Sequence, residues 1–110
     1  MSARSPRIHA QSSAVARFEL SEAADRDLTD IYRYSYRQFG ADRADTYLFG
    51  LEECFSRLAQ FPELGRPIEH LRPGYFRFEH ARHTVFYVRS GAGIRVVRVL
   101  HERMDPERHL

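Results

Sequence analysis

The sequence predicts an α+β fold of two layers, with an N-terminal helical hairpin packed on one face of a mainly antiparallel four-stranded sheet. Three observations predict it. Residues 83–90 and 94–100, both rich in β-branched types, flank Gly91-Ala92-Gly93, which is the pattern of a hairpin. Upstream, residues 22–39 and 42–61 repeat apolar side chains at helical rather than strand spacing. The gap between those two helices is so short that they must fold back on each other and share one apolar face.

In chain order, residues 1–16 read as a flexible N-terminal extension, basic at Arg4 and Arg7 but without the apolar stretch of a signal peptide. Residues 17–110 read as a single domain. The segment 14–20 alternates weakly and forms the first strand, placing Phe18 and Leu20 on one face. Ser21 follows as an N-cap, with Glu22 and Asp25 in the first helical turn and Gly40 beyond the last. The inward stripe of this helix is Ala24, Leu28, Ile31, Tyr32, Ser35 and Phe39, which leaves Asp27, Asp30, Arg33 and Arg37 to solvent. Tyr34 and Tyr36 bracket Tyr32 and cannot both point inward, so at least one is an exposed aromatic. The second helix carries Ala44, Tyr47, Leu48, Leu51, Phe55 and Leu58, and Pro62 ends it near Phe61. Three prolines and two glycines make 62–74 an ordered, irregular connection. Residues 75–80 alternate as a third strand, and Ala81-Arg82 turns the chain into 83–90. The order is β-α-α-β-β-β, with the first strand antiparallel to the last.

Simple alternation along the last two strands puts Val85, Tyr87, Val97 and Val99 on one face. Phe86, Val88, Ile94, Val96, Arg98 and Leu100 fall on the other. A mid-strand arginine beneath the helices would need a partner, so the first set is expected inward. The second set becomes an apolar groove around Arg98, more exposed than an isolated domain leaves open, and suited to a bound protein segment or self-association.

Composition narrows the chemistry. All 17 basic residues are arginine, so no lysine Schiff base is available and every cation is suited to forked contacts with carboxylate or phosphate. Residues 1–60 hold 8 Arg against 9 carboxylates, and 61–110 hold 9 against 6, so the net +2 sits in the second half. That half also has five of the six histidines, and its charge grows on mild acidification. No apolar run approaches the roughly 20 residues that span a bilayer, and the single Cys54, between apolar helix neighbours, reads as a buried inert thiol. A cytoplasmic location is expected.

There is no Gly-rich phosphate loop, zinc spacing, Gly-x-Ser-x-Gly or His-Glu-x-x-His, so neither metal nor cofactor is expected. His80 and His83 with Glu79 could form a ligand set, but strand-end histidines are commonly solvated. A nuclease that drives a 2′-oxygen at the adjacent phosphate needs a base, an acid and cations. Arg77, Arg82, Arg98, His83 and His101 supply those types, and serve a protein-binding surface equally well. Pro106 cannot donate to a sheet ladder, so the last strand is expected to end by about Met104, and the tail 103–110 holds two arginines, two carboxylates and a histidine beside Met104 and Leu110. It either tucks back against the helices or contributes to a binding surface.

Taken in order, AADRDLTDIY (23–32), the Phe39-Gly40 turn, 44–51, FPELGRP (61–67), LRPGYFRF (71–78), HTVFYV (83–88) and VVRVLHERMDPERHL (96–110) resemble the ParE branch of the RelE/ParE superfamily of toxin-antitoxin toxins, also called plasmid-stabilisation proteins. The resemblance covers 17–110. It implies a type II toxin held inactive by a cognate ParD-like antitoxin whose C-terminal segment wraps it, the pair forming a hetero-oligomer that reaches DNA only through the antitoxin. It implies that the free toxin inhibits DNA gyrase by protein-protein binding rather than as an enzyme. On this view the Phe86, Val88, Ile94, Val96, Arg98 and Leu100 groove takes the antitoxin. Arg103, Met104, Asp105, Arg108, His109 and Leu110 serve target binding and toxicity. The alternative is a RelE-like ribosome-dependent mRNA endoribonuclease. That branch relies on lysine or arginine pairs with a histidine or tyrosine near the C-terminus, and here there is no lysine and no tyrosine after Tyr87.

Overall fold

The structure, a computed structural model, describes residues 17–110. Its elements are β1 (Phe18–Leu20), α1 (Glu22–Phe39), α2 (Ala41–Gln60), a 3-10 turn (Pro62–Leu64), β2 (Arg66–Pro67), β3 (Phe76–His80), β4 (His83–Ser90), β5 (Gly93–His101) and α3 (Pro106–His109). The extension 1–16, and with it the start of the first expected strand, lies outside the described residues.

Both long helices arise where their sequence signals place them. The Ser21 side chain accepts from the Ala24 N–H at 2.9 Å and starts α1. Gly40, at φ 90°, adopts a backbone that other residues resist, so one residue both ends α1 and begins α2. Ala24 and Leu28 of α1, with Leu51, Cys54, Phe55, Leu58 and Ala59 of α2, close on Phe18, Val85, Tyr87, Ile94, Val96 and Val99 from the sheet. Phe39, expected in the inward stripe, is instead 58% exposed at the last position of α1, in the hairpin tip. Tyr34 and Tyr36 are both exposed. Cys54 is buried, and burial pushes its thiol up to about 11, so it stays protonated.

The sheet has five strands in the order β1-β5-β4-β3-β2, not four. The extra strand is the two-residue β2, antiparallel to β3 within the expected irregular connection. It adds one reversal before the meander, and β1 therefore pairs with β5 in parallel, not antiparallel as expected, with Phe18 opposite Ile94 and Leu20 opposite Val96.

Face assignment is the larger correction. Opposite β4, Phe86 pairs with Arg98 but Tyr87 pairs with Val96, so Val97 is the extra residue of a β-bulge. One inserted residue reverses the alternation on its far side. Val85, Tyr87 and Val99 face the helices as expected, but Ile94 and Val96 join them, fully buried, instead of lining a groove. Val97 is half-buried at the bulge. Phe86 and Leu100 do lie on the opposite face, yet they are not open either. Ile68, Leu71 and Tyr75 from the connection, together with Leu110, cover them in a second small core. The apolar surplus read from the sequence is thus largely used within the chain.

The free edge of β5 has its own solution. β1 stops opposite Val96, and Ser21 and then α1 take over as edge partners. The Ser21 N–H donates to the Val96 carbonyl at 3.0 Å, the Ser21 hydroxyl donates to the Val97 carbonyl at 2.7 Å, and the Val99 N–H donates to the Asp27 carboxylate at 2.9 Å. Asp27, expected to face solvent, is therefore a structural residue.

Candidate functional site

With the expected groove filled, concave apolar surface appears elsewhere. Where α1 and α2 converge over the ends of β4 and β5, they leave a cleft of about 770 Å³. One wall is a single face of α1, where Asp27, Ile31 and Ser35 sit one turn apart with Asp30 and Tyr34 beside them. Phe39, Arg43 and Tyr47 form the other wall, Val99, His83 and His101 lie at the bottom, and Arg82 and Met104 form the rim. Tyr34, Phe39 and Met104 are 57%, 58% and 37% exposed, so the cleft gathers three of the large apolar side chains that the core leaves out. Such a concentration marks interaction surface more than any scattered exposed residue does.

The floor is built around His83. His83 and His101 are cross-strand partners, and their rings meet edge to face at 5.4 Å. Tyr47 hydroxyl lies 2.7 Å from His83 Nδ1. Burial pushes the Tyr47 hydroxyl above its ordinary value, so it keeps its proton and shares a neutral hydrogen bond with the imidazole. Burial first, then the neighbouring His101 and His80, hold His83 down to about 4, so it is uncharged at neutral pH. A neutral ring fixed by a tyrosine suits a wall that packs against apolar groups.

Charge is placed at the margins. Asp27 is engaged by Arg98 through two bonds, Nε to Oδ2 at 2.8 Å and NH2 to Oδ1 at 2.9 Å. This contact holds Arg98 above its ordinary value. Asp30 beside it makes no ion pair among the described residues. At the other end the Arg43 guanidinium lies over the Phe39 ring at 5.7 Å, and Arg82 bonds Glu102 at 3.2 Å across exposed surface. The cleft is acidic at one end and cationic at the other.

Of the residues considered for phosphate chemistry, Arg82, His83 and His101 share this cleft, but Arg98 is consumed by Asp27 and Arg77 lies over the Phe86 ring on the opposite face. His83, at about 4, is also a weak base for work near neutrality. The Glu79 carboxylate is held by Arg77 at 3.0 Å and Arg66 at 3.5 Å rather than completing a ligand set with His80 and His83. Among the described residues no group of three or more metal-ligating side chains converges.

The tail is folded. Asp105 caps α3 by accepting from the Glu107 N–H at 3.1 Å. Arg103, Met104, Asp105 and Arg108 are exposed, whereas His109 and Leu110 are half-buried and turned toward the body. Leu110 packs in the second core, its backbone oxygen accepting from Arg72 at 2.8 Å, and the His109 carbonyl accepts from Arg98 at 2.8 Å. The end of the tail thus tucks against the face opposite the helices, while Met104 stays at the cleft rim.

Sequence reasoning missed Asp27, Tyr34, Phe39 and Tyr47 as cleft residues. The one available signal was Tyr34, an aromatic off the inward stripe of its helix.

Comparisons with known proteins agree on one family. Residues 18–106 match the family model described as ParE toxin of type II toxin-antitoxin system, parDE. A protein named Toxin ParE1 from Mycobacterium tuberculosis (strain H37Rv) is 43% identical over 96 residues, covering 86% of this chain and 98% of its own length. Another Toxin ParE1, from Caulobacter vibrioides, is 39% identical over 93 residues, covering 84% and 96%. In fold, the chain superposes with a TM-score of 0.66 on a solved chain titled Chromosomal ParDE TA system from P. aeruginosa, at 22% identity, covering 82% of this chain and 98% of that one.

Proposed function

The chain belongs to the ParE toxin family of type II toxin-antitoxin systems, and from that premise we propose that it is neutralised by a ParD-like antitoxin docked in the aromatic cleft. When free, it inhibits DNA gyrase in the cytoplasm by protein-protein binding, with no cofactor. The observation that carries the reading is the cleft itself. Tyr34, Phe39 and Met104 stand exposed around Ile31, Tyr47 and Val99, an arrangement suited to the apolar face of a helix or extended segment. Its margins specify more. A cation on the segment would meet Asp30, and a carboxylate would meet Arg43 or Arg82. A highly charged antitoxin tail with apolar anchors supplies both. Arg103, Asp105 and Arg108, exposed and outside the cleft lining, stay available for a target.

The test is incubation of the purified toxin with gyrase, ATP and supercoiled or relaxed DNA, beside a parallel incubation with ribosomes and message. Loss of supercoiling or accumulation of cleaved DNA, with intact RNA, is expected. Unimpaired gyrase with message cleavage that disappears in His83→Ala would overturn this reading in favour of the ribonuclease alternative.

A further inference from the structure

A four-residue helix cannot hold itself in water, since forming a first turn fixes several residues for one hydrogen bond. The orientation of α3 must therefore come from what it touches. Two arginines grip its end, Arg72 at the Leu110 oxygen and Arg98 at the His109 carbonyl, both at 2.8 Å. Arg98 differs from Arg72 in being fixed at its own far side. Its Nε and NH2 are locked on Asp27 while NH1 alone reaches the tail, so one planar fork spans two elements. Asp27 is fixed in turn by the Val99 N–H at the edge of β5. Both side chains are mostly buried, 13% exposed for Asp27 and 21% for Arg98, so the contacts are weakly screened.

We infer that Asp27 and Arg98 are a positioning pair that sets the orientation in which residues 105–110 are presented, and that ties this orientation to the wall of the aromatic cleft. The tie is geometric. Asp27 lies one turn from Asp30 and Ile31 and two turns from Tyr34 on the face of α1 that lines the cleft. Whatever presses on that face bears on the carboxylate that orients Arg98, and through Arg98 on the tail. A lysine at 98 would keep the charge but could not bond both carboxylate oxygens and the His109 carbonyl from one rigid plane. This part rests on the reading of the cleft as the antitoxin site and of the tail as target-facing; the pair itself does not.

The experiment is amide hydrogen exchange on the full chain as wild type, Arg98→Lys and Asp27→Asn, together with gyrase inhibition by each. The reporters are the N–H groups of Arg108 and Leu110, which donate to the Asp105 and Pro106 carbonyls. Both variants should exchange there at least tenfold faster while the amides of β4 keep their protection, and inhibition by Arg98→Lys should weaken by a similar factor. Unchanged tail exchange in both variants, or unprotected tail amides already in the wild type, would overturn the pairing. A parallel rise in β4 would also overturn it, by showing only general loosening. Absence of inhibition by the wild type would count against the proposed target and leave the exchange result to decide the pair.

Discussion

Removing the hydroxyl of Tyr87 is expected to cost far more than removal of one oxygen suggests. Tyr87 is fully buried on β4, and its ring stacks on Phe76 at 5.4 Å, a contact that phenylalanine retains. Its hydroxyl donates to the Pro62 carbonyl at 2.6 Å and accepts from the Gly65 N–H at 2.9 Å, pinning the turn after α2 onto the sheet. Gly65 is buried against the Tyr87 hydroxyl and the Arg77 carbonyl, which keeps its N–H away from bulk solvent. In Tyr87→Phe an orphaned buried N–H costs about 1–3 kcal/mol, and the half-buried Pro62 carbonyl adds about 1. The total of about 2–4 kcal/mol is a large part of the stability of a small domain. Urea unfolding measures it. At about 1–1.5 kcal/mol per molar, the midpoint should fall by about 2 M with unchanged slope, whereas exposed Tyr34→Phe should stay within about 0.5 kcal/mol. A loss below about 0.5 kcal/mol in Tyr87→Phe would refute the claim that this hydroxyl pins the turn onto the sheet.

Two further outcomes follow from the core and from the cleft floor. Leu51 is fully buried under α2, so Leu51→Ala should lose about 2–5 kcal/mol in the same titration while exposed Arg57→Ala loses little; equal losses would mean α2 is turned the wrong way. His83 is held at about 4 when folded against an ordinary 6.5, so the unfolded chain takes up a proton that the folded one refuses between those values. Stability from this group is complete above about pH 6.5 and is lost as pH falls toward 4, by about 1–2 kcal/mol once screening at a half-exposed ring is allowed for. His83→Gln should flatten that part of the pH profile, and an unchanged profile would show that His83 titrates normally.

The helices were legible because each carries its own punctuation, Ser21 and Gly40 for α1 and Pro62 after α2, and a stripe that local spacing reveals. The existence of β3, β4 and β5 was equally local. Their faces were not, because Val96-Val97-Arg98-Val99 is apolar at both parities and nothing in it marks the bulge at Val97. β2 was invisible for a related reason. A two-residue strand containing Pro67 has no periodicity to read, yet it decides whether β1 runs with or against β5. Although Arg98 was expected in an open groove, the need for a partner beneath the helices was legible from its mid-strand position. Its identity was not, since Asp27 lies 71 residues away and looked like one more solvated carboxylate on an exposed helix face. The cleft could not be read at all from local pattern, being assembled from α1, α2, two strand ends and Met104.

The affinity of the toxin for its antitoxin, measured by titration calorimetry with a cleft variant and a variant outside it, tests the central claim most directly. Tyr34→Ala with Phe39→Ala removes two exposed cleft aromatics without touching the core, and Phe49→Ala removes one that is 66% exposed on α2 outside the cleft. A central aromatic anchor is worth about 2 kcal/mol or more, so even if only one of the two serves as an anchor the cleft variant should bind at least about 30-fold more weakly. Phe49→Ala should bind within about twofold of the wild type, in the range of rim contacts. Full affinity in the cleft variant, with the loss appearing at Phe49 instead, would contradict the assignment of this cleft to the antitoxin.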